Sequence, residues 1–221
     1  MMPKGQTVRT ILNAGFLLAV IISLFLFLNS SAKAGSAASA LPDFTDFSKP
    51  IQNGKEGMLR GVYVEDALAL PVVQQPEGNT NFVSSREGEA TQFSLASQFG
   101  NVGLLAHNYL SGKLFSRLTI GQDVRLVYGD VKIEYFTVTM LLRYQALQPA
   151  SPYSSFRNLK NKDEILSAEQ MFQRIYRGDH HVTFQTCIAA NGNPSWGRLF
   201  VVAVPKLQHM SINRLTVQLP Q

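Results

Sequence analysis

The sequence predicts a mostly β domain, a barrel or a sandwich with short helices. Three observations predict it. Short runs rich in β-branched and aromatic residues recur from residue 58 onward. Turn signals separate them, among them Gly129-Asp130 and Asn191-Gly192-Asn193-Pro194. Only two stretches show helical spacing.

In order, residues 58–64 and 69–73 are apolar strands. Pro71 interrupts the second and predicts an edge position, because proline cannot donate to a ladder. Residues 75–92 are polar, carry Gly78, Asn79 and Gly88, and read as a loop. Residues 102–107 (VGLLAH) form a short strand. Residues 111–118 place Leu114, Phe115 and Leu118 at helical spacing for one or two turns. Residues 124–128 and 131–144 form a hairpin across Gly129-Asp130. A long connection, 145–180, holds a Pro- and Ser-containing stretch (QPASPYSSF) and then a helix. Ser167 is that helix's cap, and Met171, Phe172 and Ile175 are its apolar face. Residues 181–187 and 199–204 are strands on either side of the Asn191–Pro194 turn, and 215–219 read as a last one.

The chain has 221 residues, enough for one ordinary domain with extensions. Hydrophobic residues make up 45% and charged residues 16%, which excludes intrinsic disorder. The net charge is +5, but three of those positive charges (Lys4, Arg9 and Lys33) precede the first acidic residue, Asp43. The rest of the chain carries an excess of only two. No stripe of Lys and Arg is visible, so a nucleic-acid partner is set aside.

Residues 11–28 (ILNAGFLLAVIISLFLFL) carry no charge and follow Lys4 and Arg9. A basic flank before an apolar helix enters the membrane with its basic end left in the cytoplasm. Eighteen residues at about 1.5 Å each span roughly 27 Å, near the lower limit for crossing a bilayer. Asn29-Ser30-Ser31 ends the run, and Ala32-Lys33-Ala34 offers a signal peptidase small residues. Cleavage and retention as an anchor both fit. Either places the remainder outside the cytoplasm, so 1–34 is assigned as signal peptide or membrane anchor. Residues 35–57, rich in Ala, Ser, Gly and Pro, read as a linker, and 58–221 as the folded domain.

Cys187 is the only cysteine, so neither an intrachain disulfide nor a cysteine zinc cage is possible. No histidines stand as an i, i+4 ligand pair, and no acidic cluster has ligand spacing. No metal and no cofactor are expected. Cys187 ends a strand before a small-residue loop, where reactive groups are often presented. A buried, inert thiol is the competing reading. A thiol with an ordinary pKa of about 8.5 is only a few per cent thiolate at neutral pH, so it needs a basic neighbour. At about 3.3 Å per residue, His181 lies roughly 20 Å from Cys187 along an extended strand, and His180 lies farther. His209 reads as an exposed histidine. His107 ends an apolar strand. Arg198 stands beyond the turn, where strand pairing returns it beside Cys187. Trp196 lies on the same rim or simply packs.

These pieces together resemble the sortases, cysteine transpeptidases of the bacterial cell surface. The elements are Thr183-Phe184-Gln185-Thr186-Cys187, Trp196-Gly197-Arg198-Leu199 and Leu105-Ala106-His107-Asn108, in the family's order. Residues 115–121 (FSRLTIG) with Asp123-Val124 resemble a further family segment, with Gln122 inserted. Phe184 replaces the usual leucine, and Ala106 stands where glycine is common. The resemblance covers about residues 58–205.

It implies a closed eight-stranded β-barrel with short helices. It implies that Cys187 attacks the carbonyl of a C-terminal sorting signal on an exported protein and forms a thioester. His107 would serve as general acid and then base, and Arg198 would hold substrate and stabilise the oxyanion. An amine nucleophile, such as cell-wall peptide or a pilin lysine, would accept the product. Thr186 and Trp196 are expected substrate contacts. The long connection before the cysteine strand adds Tyr153 and Phe156 as groove walls. An inactive barrel of the same fold that binds peptides is the alternative. An L,D-transpeptidase is disfavoured, because that class has arginine two residues after its cysteine, and position 189 here is Ala.

Overall fold

The computed structural model describes residues 41–206. The apolar run 11–28, the rest of 1–40, His209 and the expected strand 215–219 lie outside the described residues.

Among the described residues, ten strands form one sheet. They are β1 (Leu59–Val64), β2 (Leu68–Gln74), β3 (Ala90–Phe93), β4 (Val102–Leu105), β5 (Asp123–Tyr128), β6 (Ile133–Ala146), β7 (Phe156–Asn158), β8 (Ile165–Leu166), β9 (Val182–Ala190) and β10 (Asn193–Pro205). Their spatial order is β10-β9-β4-β3-β2-β1-β5-β6-β7-β8, and β10 also pairs with β6. That extra ladder closes the first eight strands in this order into a barrel. β7 and β8 form a short flap on the upper end of β6. The ladders are antiparallel except β2–β3 and β4–β9. A closed barrel leaves no long free edge, so alternation along each strand decides what faces the core. Leu199, Val201 and Ala203 of β10 and Val182 and Phe184 of β9 point inward. The residues between them face outward.

The expected strands at 58–64, 124–128 and 131–144 appear as β1, β5 and β6. β2 is not an edge strand. It lies between β1 and β3, and its parallel ladder to β3 begins at Val72, one residue after Pro71. The missing N–H of Pro71 therefore costs that ladder nothing. The polar stretch 75–92 does contain a loop, but its end enters β3, too short a strand to show alternation. The inserted Gln122 belongs to a turn in which Gly121 adopts φ 92°. The Gly121 N–H donates to the Val138 carbonyl at 2.8 Å, so the extra residue is accommodated against β6.

The described part of the expected linker holds a packed helix. α1 (Phe44–Ile51) is capped by Asp43, whose carboxylate accepts from the Asp46 N–H at 2.8 Å. Phe44 and Phe47 lie 5.3 and 5.8 Å from the Tyr63 ring. Gly61 permits this close seating, because a Cβ there would stand 2.3 Å from Ile51 Cδ1. Its polar composition concealed an amphipathic turn pattern built on only three apolar residues.

Two single-turn helices, α2 (Ser94–Ser97) and α3 (Gly112–Phe115), flank β4. α4 (Ala168–Tyr176) begins with a capping box of Ser167 and Gln170. Its Met171, Ile175 and Tyr176 pack on Tyr144, Phe156 and Phe200, forming a second core outside the barrel wall. The last carbonyls of a helix lack intrahelical donors. Here Asn101 Nδ2 donates to the Tyr176 carbonyl at 3.0 Å, and Thr183 Oγ1 donates to that of Ile175 at 3.2 Å. The ring nitrogens of His181 lie 2.7 and 2.8 Å from the carbonyls of Asp179 and Ile175. These bonds pin α4 across the outer face of β9 and β10.

Candidate active site

The groove is built on two ladders. β9 and β10 join through Asn191 (φ 52°) and Gly192 (φ 74°), both left-handed, as a two-residue hairpin turn requires. Asn193 pairs with Ala190, and Gly197 then pairs with Ile188. Three residues, Pro194, Ser195 and Trp196, thus bulge opposite Ala189 alone. Beyond the bulge Arg198 is the Cα partner of Cys187.

The other ladder is parallel. Leu104 pairs with Phe184 and Leu105 with Gln185. The Ala106 N–H continues it, donating to the Gln185 carbonyl at 3.3 Å. Cys187 faces outward by alternation, and His107 opens the turn that follows, two residues beyond the end of β4. Neighbouring strands lie about 4.8 Å apart, so Cys187 and Arg198 stand side by side on paired strands.

His107, Cys187 and Arg198 line one groove of about 470 Å³. Leu105, Phe93, Met171, Phe172, Tyr176 and Phe200 give it an apolar floor and wall. Pro152 and Phe156 close it from the long connection, and Thr80, Asn81 and Val83 from the β2–β3 loop. Cys187 is half-buried and is one of the residues that line the groove. A larger cavity of about 630 Å³ lies across α4 and contains none of the three. Size alone therefore does not single out the groove that holds all three.

The turn after β4 is tightly supported. The Leu110 and Gly112 N–H groups donate to the His107 carbonyl at 2.9 and 3.0 Å. Thr186 Oγ1 donates to the Ala106 carbonyl at 2.8 Å. Gly112 is required for this contact, because a Cβ there would lie 2.2 Å from Thr186 Oγ1 and 2.7 Å from the His107 carbonyl oxygen. The His107 imidazole stacks on Tyr109, with centroids 5.2 Å apart and planes 17° from parallel. Arg198 Nη1 donates to the carbonyls of Ser195 at 3.0 Å and Gly197 at 2.9 Å. Its guanidinium carbon lies 5.9 Å from the Phe156 ring centroid. Burial pushes the Tyr176 phenol up, which keeps it a neutral donor to Gln185 on the groove floor.

The residues expected from sequence separate into two groups. His107, Cys187, Arg198, Phe156 and Thr186 line the groove. The Thr186 side chain is 4% exposed and spent on the Ala106 carbonyl, so it braces the site. Tyr153 is 85% exposed and Trp196 is half-buried in the bulge, and neither is among the lining residues. Their neighbours Pro152 and Arg198 take those places. Phe93 and the β2–β3 loop residues went unforeseen, because a four-residue strand and a polar loop carry no periodic signal. Among the described residues no cluster of His, Cys, Asp or Glu could hold a metal ion, and no helix is long and apolar enough to cross a membrane.

No family model matches the chain, and no curated protein matches it in sequence. The solved structures it resembles are sortases. Sortase A of Listeria monocytogenes aligns with a TM-score of 0.43 and 13% identity over 67% of this chain and 87% of that one. Sortase C-1 of Actinomyces oris gives 0.44 and 12% over 75% and 83%. Sortase C of Clostridium perfringens SM101 gives 0.41 and 15% over 75% and 76%. At these values nothing about activity follows from the likeness. The closed barrel and the groove are properties of this chain's own ladders.

Proposed function

We propose that this chain is a sortase-type cysteine transpeptidase and endopeptidase. Its substrates would be exported proteins bearing a C-terminal sorting signal, and its acceptor an amine. The observation that carries the reading is the gathering of one thiol, one imidazole and one guanidinium in one groove, with the thiol and the guanidinium on directly paired residues of β9 and β10.

In this reading the Cys187 thiolate attacks the scissile carbonyl carbon, and the oxyanion so formed faces Arg198. The intermediate collapses with cleavage of the C–N bond. The His107 imidazolium gives its proton to the departing amine, leaving a Cys187 thioester. The incoming amine attacks that thioester and gives a proton to His107, and Cys187 leaves as thiolate. A guanidinium fixed by two carbonyls meets the developing charge without reorganising. The apolar wall suits the apolar part of an extended peptide. Action on the outer face of the cell membrane fits the basic, apolar N-terminal sequence.

The test uses the full chain, a quenched sorting-signal peptide, an amine and a thiol-directed sulfonate reagent. Peptide cleavage together with labelling of Cys187, both lost in Cys187→Ala, supports the enzyme. Peptide binding without turnover, with an inert thiol, would support an inactive peptide-binding module instead.

A further inference from the structure

Asn108 follows His107 in the turn after β4. Its Nδ2 donates to the Pro194 carbonyl at 2.9 Å, a link between residues 86 positions apart. Pro194 lies in the β10 bulge, next to the Ser195 whose carbonyl holds Arg198. One side-chain bond thus joins the segment that carries the imidazole to the segment that fixes the guanidinium. Cys187 stands between them.

The remaining restraints are unevenly placed. Thr186 and the parallel ladder fix the His107 backbone to β9. Pro194, Ser195 and Trp196 have no ladder partner, so no ladder bond holds the bulge in place. Among the described residues, the Asn108 bond is the one side-chain hydrogen bond from the histidine turn to that bulge. We propose that Asn108 is a positioning residue for this active site, setting the spacing of His107 and Arg198 about the sulfur. The inference rests on the transpeptidase reading. A displacement of about 1 Å at a reacting group can cost on the order of a hundredfold in rate.

The experiment compares Asn108→Ala and Asn108→Asp with the wild-type chain. Asp is nearly isosteric, but its carboxylate only accepts, and so does the Pro194 carbonyl. Both variants should lose kcat by about tenfold to a hundredfold. KM should stay within about twofold, because Asn108 is not a lining residue of the groove. Melting temperature should move by less than about 4 °C, the usual scale for one hydrogen bond in a domain of this size. A second readout needs no substrate. The pH profile of Cys187 alkylation by iodoacetamide should shift in the same direction in both variants and in His107→Ala. Turnover within twofold of wild type in both variants would overturn the proposal. If the wild type shows no turnover, the transpeptidase reading fails and the alkylation profile decides. A profile moved by His107→Ala but unmoved by either Asn108 variant overturns the positioning role.

Discussion

Cys187 and Arg198 face each other across β9 and β10 at a register that the hairpin turn alone does not produce. Continued straight from the Asn191-Gly192 turn, the ladder would set Trp196 opposite the cysteine. The Pro194–Trp196 bulge moves the pairing on by two residues. It also turns the Ser195 carbonyl toward the guanidinium. A shift of two preserves the facing of every side chain, so Leu199 and Val201 stay in the core.

Removing Pro194 and Ser195 together should keep Arg198 opposite Cys187, because the hairpin would then run without a bulge. The deletion strips the carbonyl that holds Asn108 and one of the two that hold the guanidinium. The expected outcome is a folded protein whose kcat falls at least as far as in Asn108→Ala. Circular dichroism and steady-state kinetics check it.

Arg198→Ala should lower turnover by about two to three orders of magnitude, the usual scale for an oxyanion donor. The residue is half-buried and bonds only backbone carbonyls, so thermal unfolding should change little. A loss below threefold would remove Arg198 from the role.

Gly112→Ala forces a methyl group against Thr186 Oγ1 and the carbonyls of Ala106 and His107. Backbone must move to relieve it, at a cost of about 1–3 kcal/mol. Denaturant unfolding measures that cost. Because the displaced backbone carries His107, kcat should fall with stability.

Asn101 is 1% exposed and serves both the Tyr176 carbonyl and the His181 N–H. Asn101→Ala leaves two buried backbone groups unpaired and should destabilise by about 2–4 kcal/mol. α4 walls the groove, so KM should rise more than kcat falls. Equal loss of both would argue against a wall that α4 holds in place.

Acid and alkali should each unfold the domain through identified groups. The hydrogen bond from Lys206 holds Asp123 below the ordinary carboxylate value of 3.8. Burial pushes Glu134 up, but Lys132 and Tyr128 outweigh it and hold the carboxyl below its ordinary 4.5. A lowered carboxylate contributes stability that is present above its unfolded value and lost as pH falls through the folded one. Melting temperature should therefore drop below about pH 4.5. Tyr176 is pushed up by burial from 10.0, so stability present below that value is lost as pH rises beyond it. Calorimetry from pH 3 to 11 tests both limbs.

Much of the fold could be read from the chain because long strands have strong alternation. β6 shows it at Phe136, Val138 and Met140, and the second half of β10 stands out instead as a continuous apolar run. The adjoining ends of β9 (CIAA) and β10 (NPSWG) show no alternation, and their pairing depends on a turn and a bulge. β3, β7 and β8 have two to four residues, below the length at which periodicity exists. α1 was hidden by composition, since only its contact with Tyr63 reveals which side is apolar. For the candidate site, the spacing of Cys187 and Arg198 about a turn was visible in one dimension. The nearness of His107 was not, because a parallel ladder between residues 80 positions apart leaves no local trace. Tyr153 lies in the long connection and Trp196 on the rim beside Arg198, and neither is among the residues that line the groove.

The central claim is that Cys187 becomes the acyl carrier in this groove. Intact-mass analysis of the protein incubated with a sorting-signal peptide tests it most directly. The expected result is a mass gain equal to the N-terminal fragment as its acyl group, the free acid less one water. That adduct should map to Cys187, be released by hydroxylamine, fail to form in Cys187→Ala and disappear when an amine is supplied. Cleavage of the peptide with no adduct at any time, or an adduct mapped to another residue, would contradict it.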